Sequence, residues 1–199
     1  MAAHLPALAG HLGATLTEIL LGLTLGTLLG SSAALAMILS PLLKRWMLPV
    51  LVASQAIPVF AMAPILVLWL GYGMASKVAM AVLIIFFPVA SSFYSGMRRT
   101  DADLLELARI MDARPLKVLT CIVVPSALPS FAAGLRVATA VAPIGAVVGE
   151  WVGSSRGLGY FMLHANARMQ IDLMFAALTV LAAASLSLYF LVDRLLDRL

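Results

Sequence analysis

Residues 98–128 read RRTDADLLELARIMDARPLKVLTCIVVPSAL, a charged, proline-punctuated segment set between apolar stretches long enough to cross a bilayer. Thr100 with Asp103 three residues on makes a capping-box-like start, and Asp101 and Asp103 put negative charge where a helix dipole favours it. Leu104, Leu107, Ala108 and Met111 follow at three- and four-residue spacing, while Glu106, Arg109 and Asp112 fall on the polar side. That spacing predicts an amphipathic helix of roughly three turns that ends before Pro115. A second short helix is predicted from Pro115 through Val118, Ile122 and Val124, stopping at Pro125, with Pro129 opening the next span. The two pieces form a helical elbow lying at a membrane surface, of a kind offered to a soluble partner.

Working outward, 63% hydrophobic and 11% charged residues, with a mean hydropathy of +1.06, exclude an ordinary soluble domain. The fold class is all-α, an integral membrane helical bundle. Long apolar runs predict about five transmembrane helices, at residues 12–39, 47–70, 75–97, 128–149 and 171–192, since each crossing needs about 20 apolar residues. They make one transmembrane domain over 1–199, with 98–128 as the loop within it. The beginning, MAAHLPALAGHLGATLTEILLG, lacks a basic n-region, so the first span is expected to stay in the mature protein. The single Cys121 has no disulfide partner and reads as a small buried apolar residue.

The formal charge of +4 records membrane orientation and does not point to nucleic acid. Lys44, Arg45, Arg98, Arg99, Arg109, Arg114, Lys117, Arg194 and Arg198 belong to one side, nine cations against the three of Lys77, Arg156 and Arg168. The cationic bias predicts a multi-pass protein of the cell membrane with the long loop and the C-terminus cytoplasmic and the N-terminus outside.

Within the first span Gly22, Gly26 and Gly30 recur every four residues and make one smooth face, either for close helix contact or merely tolerated. Pro49, Pro58 and Pro64 each remove a backbone donor from the second span, which is therefore expected to be kinked or broken. Pro58 and Pro64 are candidates to line a translocation path, with plain kinks as the alternative.

At this point the elbow resembles a known family, the membrane permeases of binding-protein-dependent ABC importers. Their cytoplasmic signature reads E-A-A, three residues, G, nine residues, I-x-L-P. Glu106, Leu107 and Ala108 stand at the E-A-A positions, Asp112 at the glycine, Ile122 after nine intervening residues, then Val124 and Pro125 at L-P. Asp112 is the departure, because the family's glycine permits a tight turn, and Asp tolerates the left-handed conformation better than most residues. VVPSALPSFAAGLRVA and GEWVGSSRGLGYFM are similar to the family's next span and the stretch after it. SQAIPVFAMAPILVLWLGYGMASKV and GEWVGSSRGLGYFMLHANARMQ look most like hydroxymethylpyrimidine-type permeases, within a group that also takes up sulfonates, taurine and nitrate.

The resemblance implies a type I ABC importer permease fold and a path for a small solute delivered by an extracytoplasmic solute-binding protein. It also implies a partner ATPase subunit that uses the ATP, no cofactor bound by this chain, and a second permease copy in a homodimer. No G-x-x-x-x-G-K-[ST] sequence occurs, so the chain is not its own P-loop ATPase and is not read as an enzyme. Such permeases commonly carry one more span before the one beginning near Leu12, so either a span is missing here or five suffice.

Outside the elbow, Glu150 next to Trp151 is the prominent acid, since a carboxylate near the membrane interior needs a partner or water, and Arg156 is close enough in sequence to supply one. Glu150, Trp151, Gly157 and Gly159 are candidates for an extracytoplasmic gate or substrate path. The alternative is an interfacial Trp anchor beside a surface ion pair. Glu18 is open between a pathway residue and a helix-packing contact. His4, His11 and His164 lack ligand-like spacing, so no metal site is expected. The competing functional classes are an ion-coupled carrier or channel and a membrane scaffold or enzyme. A carrier would show internal repeats and ionisable residues midway through several spans.

Overall fold

The computed structural model describes residues 5–197, leaving His4 and Arg198 outside the described residues. The described chain is helical almost throughout: α1 (Leu5–Leu39), α2 (Pro41–Ala56), α3 (Val59–Leu70), α4 (Met74–Arg98), α5 (Ala102–Ile110), α6 (Pro115–Val118), α7 (Val124–Gly153), α8 (Leu158–Ala167) and α9 (Ile171–Leu196). A π-helical turn, Leu119–Val123, joins α6 to α7.

α4 is the central helix, and glycines bring its neighbours against it. A Cβ on Gly22 would collide with the Ala81 side chain, one on Gly26 would meet Ile85 Cγ2 at 2.6 Å, and one on Gly30 would meet Val89 Cβ at 3.0 Å. The smooth face of α1 is therefore a contact face for α4. From the other side, a Cβ on Gly145 of α7 would lie 2.7 Å from Ala81 Cα, and one on Gly149 would lie 3.0 Å from Lys77 Cα. Ile19, Leu23, Ile85, Val89, Ala138 and Ala142 fill the buried seam between the three helices.

These pairings fix direction. Gly22, Gly26 and Gly30 meet α4 residues of rising number, so α1 and α4 run parallel, whereas Gly145 and Gly149 meet Ala81 and then Lys77, so α7 runs antiparallel. Two parallel spans require the chain between them to recross the membrane, and α2 with α3 is that return. It starts beside the end of α4, where Met47 and Leu51 pack with Phe93, Tyr94 and Met97. It ends at the other end of the bundle, where Val67 lies under Gly153. The second span is thus broken: α2 and α3 are bent by 107°. Ile57, in extended conformation ahead of Pro58, makes the break, because proline disfavours helix in the residue before it. With the return counted, there are up to five crossings.

Three expectations are corrected. The fourth span does not begin at Pro129; residues Pro115–Gly153 form one 39-residue helical run. Pro125 does not stop it, because the run passes through the π-helical turn immediately before it, where Val124 donates to Leu119 O. Cys121 is exposed, on the outer side of that turn.

Of the large cation group, Lys44, Arg45, Arg98, Arg99, Arg109, Arg114 and Lys117 lie at the elbow end of the bundle, Arg194 lies nearer its middle, where Val192 and Leu195 pack on α1 and α7, and Lys77, Arg156 and Arg168 lie at the other end. Arg136, left out of that division, reaches from α7 to the last turn of α9 and pairs with Asp193 at 2.5 Å and Asp197 at 2.6 Å.

Candidate functional site

At one end of the bundle lies the elbow. Its first helix is capped by Asp101, whose Oδ1 accepts the Asp103 N–H at 3.0 Å, while the Thr100 hydroxyl turns back to donate to Met97 O. The cap is therefore Asp101 and not Thr100. α5 closes in a Schellman arrangement: Asp112 N–H donates to Arg109 O and Ala113 N–H to Ala108 O, both at 3.0 Å. The residue this motif places in the left-handed region is Asp112, at φ +51°. Asp thus makes the turn that glycine would make without strain, and Pro115 then starts α6.

Ala108 is buried, beside a cavity of about 450 Å³ lined by Ile38 and Leu39 from the end of α1 and by Leu105, Val118, Leu119 and Val123. Ile122 and Val124 are half-buried, while Glu106, Leu107, Asp112 and Pro125 are exposed. The expected apolar side of α5 is not its buried side. Leu104, Leu107 and Met111 face outward with Ile110, which is 83% exposed, and Leu116 of α6 joins them. These side chains form one outward apolar face on the elbow.

At the other end a polar cluster is sealed between α1, α4, α7 and α8. Glu150 is 1% exposed and is not paired with Arg156, which is exposed; its carboxylate instead receives the start of α8. Gly159 N–H donates to Oε2 at 2.5 Å, Tyr160 N–H reaches the same oxygen at 3.4 Å, and the Thr15 hydroxyl donates to Oε1 at 2.6 Å. Leu158 N–H in turn donates to Thr15 Oγ1 at 2.8 Å, and Gly157 N–H to His11 Nδ1 at 3.0 Å. The N–H groups at the start of a helix have no partner within it, and here side chains of α1 and α7 accept them. The Glu150 carboxylate also sits at the positive end of the α8 dipole.

The two glycines named from sequence have a physical reason. Gly157 sits at φ +119°, and a Cβ there would overlap the Glu150 carboxylate. One on Gly159 would come within 2.8 Å of Glu150 Oε2 and 3.0 Å of the Val147 backbone. One turn along α1 from Thr15, Glu18 is fully buried and pairs with the Lys77 ammonium, which also donates to Ser154 Oγ at 3.1 Å.

Glu150, Gly157 and Gly159 are brought together, but Trp151, Pro58 and Pro64 are not part of that cluster. Trp151 points to α3, edge-on to Phe60 at 6.3 Å, and both prolines are exposed along the broken span. Sequence reading missed His11 and Thr15 and gave Lys77 no partner. The signal was the spacing of His11, Thr15 and Glu18, which forms one polar stripe on α1 continuing into Gly22 and Gly26.

The sequence profile of the family described as binding-protein-dependent transport system inner membrane component matches residues 5–199. The chain belongs to this family. It is a permease subunit of an ABC importer, a multi-pass membrane transport component and not an enzyme. A probable ABC transporter permease protein of Haemophilus influenzae is 58% identical over 195 residues, covering 98% of this permease and 80% of that protein. The formylaminopyrimidine transport permease protein ThiX of Halalkalibacterium halodurans is 44% identical over 172 residues, 86% of this chain and 69% of the other. The taurine transport permease TauC of Escherichia coli is 33% identical, covering 86% and 62%. Among solved structures, an inward-facing MetNI methionine ABC transporter matches with a TM-score of 0.85 at 17% identity, over 100% of this permease and 98% of that chain. That match bears on the fold alone.

Proposed function

We propose that this permease forms the translocation path of an ATP-driven importer and that the α5–α6 elbow couples it to a separate ATPase subunit. The observation that carries the coupling role is the elbow itself. Asp112 holds a tight left-handed turn, Ala108 fixes α5 to the bundle, and Ile110, Met111 and Leu116 stand outward. A short helix tied to two spans transmits a partner's rigid-body motion to them. Glu106 stands exposed on the same helix as the polar member of this surface.

In this reading the elbow end is cytoplasmic, which the crowding of cations at that end supports. The whole chain acts as one transmembrane domain, binds no cofactor of its own, and pairs with a second copy. Broad apolar exposure on α3, including Leu68 at 82% and Trp69 at 72%, supports that pairing or lipid contact. An extracytoplasmic binding protein delivers the solute to the opposite end, where the α8 joint at Glu150 serves as part of a gate. The solute is a thiamine-precursor pyrimidine, a reading supported by the higher identity to the formylaminopyrimidine permease than to the taurine permease. Sulfonate, taurine and nitrate are the competing solutes.

The coupling is tested by co-purifying the permease with its neighbouring ATPase subunit. Glu106→Arg and Ile110→Asp are expected to abolish co-purification and uptake while leaving membrane insertion intact. Unchanged co-purification would remove the elbow from the coupling role. Uptake of a labelled aminopyrimidine against labelled taurine decides the solute.

A further inference from the structure

We propose that the basic patch where α2 meets α4 at the elbow end is a binding site for an anionic phospholipid, with the lipid phosphate held by Lys44 and Arg98. Lys44 lies on the stripe of α2 that faces α4, in register with Met47 and Leu51, and its Nζ stands 5.9 Å from the centroid of the Tyr94 ring. Arg98 is one turn beyond Tyr94 on α4 and exposed, so it projects from the same side of that helix. Arg45 and Arg99 flank the pair and are also exposed. None of these four cations forms an ion pair among the described residues. The acids next along the chain, Asp101 and Asp103, belong to the start of α5, where the Asp101 carboxylate accepts the Asp103 N–H. A cluster of four unmatched cations at one level of the bundle is therefore left over by the fold.

The surroundings select a lipid over a soluble anion. On the sides of α2 turned away from α4, Leu42, Trp46, Val50 and Val52 are each more than 60% exposed and form an apolar wall at the same depth, facing the hydrocarbon. Trp46 stands within two residues of Lys44, where an indole prefers the headgroup level. Basic patches between spans at the headgroup level, with apolar helix faces reaching into the hydrocarbon, match a lipid phosphate with its acyl chains alongside. The site lies at the foot of the broken span, so a bound lipid would brace α2 against α4 where α2 is held by few buried side chains.

The test is native mass spectrometry of the full-length permease, alone and with its ATPase subunit, equilibrated with equal phosphatidylglycerol and phosphatidylethanolamine. Preferential retention of phosphatidylglycerol is expected. The double variant Lys44→Gln/Arg98→Gln is expected to reduce that preference by roughly 30-fold, from the attraction typical of two cations near an anionic headgroup. Lys44→Arg, which keeps the charge, should retain it, and Arg168→Gln at the far end should leave it unchanged. Size-exclusion profiles matching wild type show that the variants are folded. Equal retention of the two lipids, or no loss in the double variant, would overturn the proposal. So would displacement of the lipid by inorganic phosphate alone, which would assign the site to a free anion. Loss of the lipid on ATPase or second-copy binding would assign the cations to that partner instead.

Discussion

Glu150 and Gly159 define a joint: the Glu150 carboxylate accepts the Gly159 N–H at 2.5 Å because Gly159 has no Cβ to hold it away. The same carboxylate also takes Thr15 and the Tyr160 N–H, so one side chain of α7 ties α1 to the start of α8. Glu150→Ala would leave the Gly159 and Tyr160 N–H groups and the Thr15 hydroxyl without their acceptor. Each buried donor left unpaired costs about 1–3 kcal/mol, so a loss of about 3 kcal/mol or more is expected by thermal unfolding in detergent micelles. Glu150→Gln keeps an acceptor oxygen and should lose less. If Glu150→Ala unfolds at the wild-type temperature, the joint contributes nothing to the bundle.

Gly157→Ala tests the joint from the opposite side. At φ +119° any side chain is strained, and this one would also push the Glu150 carboxylate out of reach of α8. Uptake is expected to fall with membrane insertion unchanged. Normal uptake would show that α8 does not need its seat on Glu150 for transport.

The Lys77–Glu18 pair makes a sharper demand, since both side chains are buried. Removing one partner strands the other charge, which typically costs 3–5 kcal/mol, whereas replacing both with apolar residues of similar volume is often near neutral. Lys77→Met should therefore destabilise strongly, and Lys77→Met/Glu18→Leu should recover most of that loss. A double variant as unstable as the sum of the two single ones would mean that the ammonium and carboxylate do not interact. The readout is a double-mutant cycle on unfolding temperature.

These pairs also show what the sequence made legible. Gly22, Gly26 and Gly30 announced a contact face because helical period is a local property, and the break near Pro58 followed from the missing backbone donor. The bend of 107° did not follow, because a proline fixes its own φ while packing against α4 and α7 sets the direction of the next helix. The start of α7 was misplaced for a related reason. Pro125 looked like a stop and Pro129 like a start, yet the helix runs through both, with a π-helical turn just ahead of Pro125 and Pro129 inside α7. Glu150 and its glycines were readable as a unit because they lie within ten residues. Their partners on α1 were not, since Thr15, which donates to Glu150, is 135 residues away from it in the chain.

Gly26 and Gly13 give a paired test of helix packing within α1. A Cβ on Gly26 would meet Ile85 at 2.6 Å, while one on Gly13 would meet nothing within 4 Å. Gly26→Val should therefore force α1 off α4 and cost about 1–3 kcal/mol or more, as overpacking does. Gly13→Ala should be neutral or stabilising by up to about 1 kcal/mol, the helix propensity difference. Equal responses at the two positions would show that the α1–α4 approach is looser than the glycines indicate.

Asp112 is where the elbow carries avoidable strain. A left-handed conformation costs a non-glycine residue roughly 1–2 kcal/mol, less for Asp, whose side chain can bond locally. Asp112→Gly removes that cost while preserving the Schellman bonds from positions 112 and 113, so the elbow should gain up to about 1 kcal/mol. Asp112→Val has the opposite effect, because a β-branched side chain at φ +51° clashes with its own backbone. Its turn should open, turning Ile110 and Met111 away from the surface they share with Leu116. With the ATPase subunit present, Asp112→Gly should hold uptake at or above wild type, and Asp112→Val should lower uptake and co-purification together. Hydrogen exchange at the Ala113 amide, bonded to Ala108 O, reports the turn directly. Faster exchange in Asp112→Val with uptake unchanged would separate the turn from coupling.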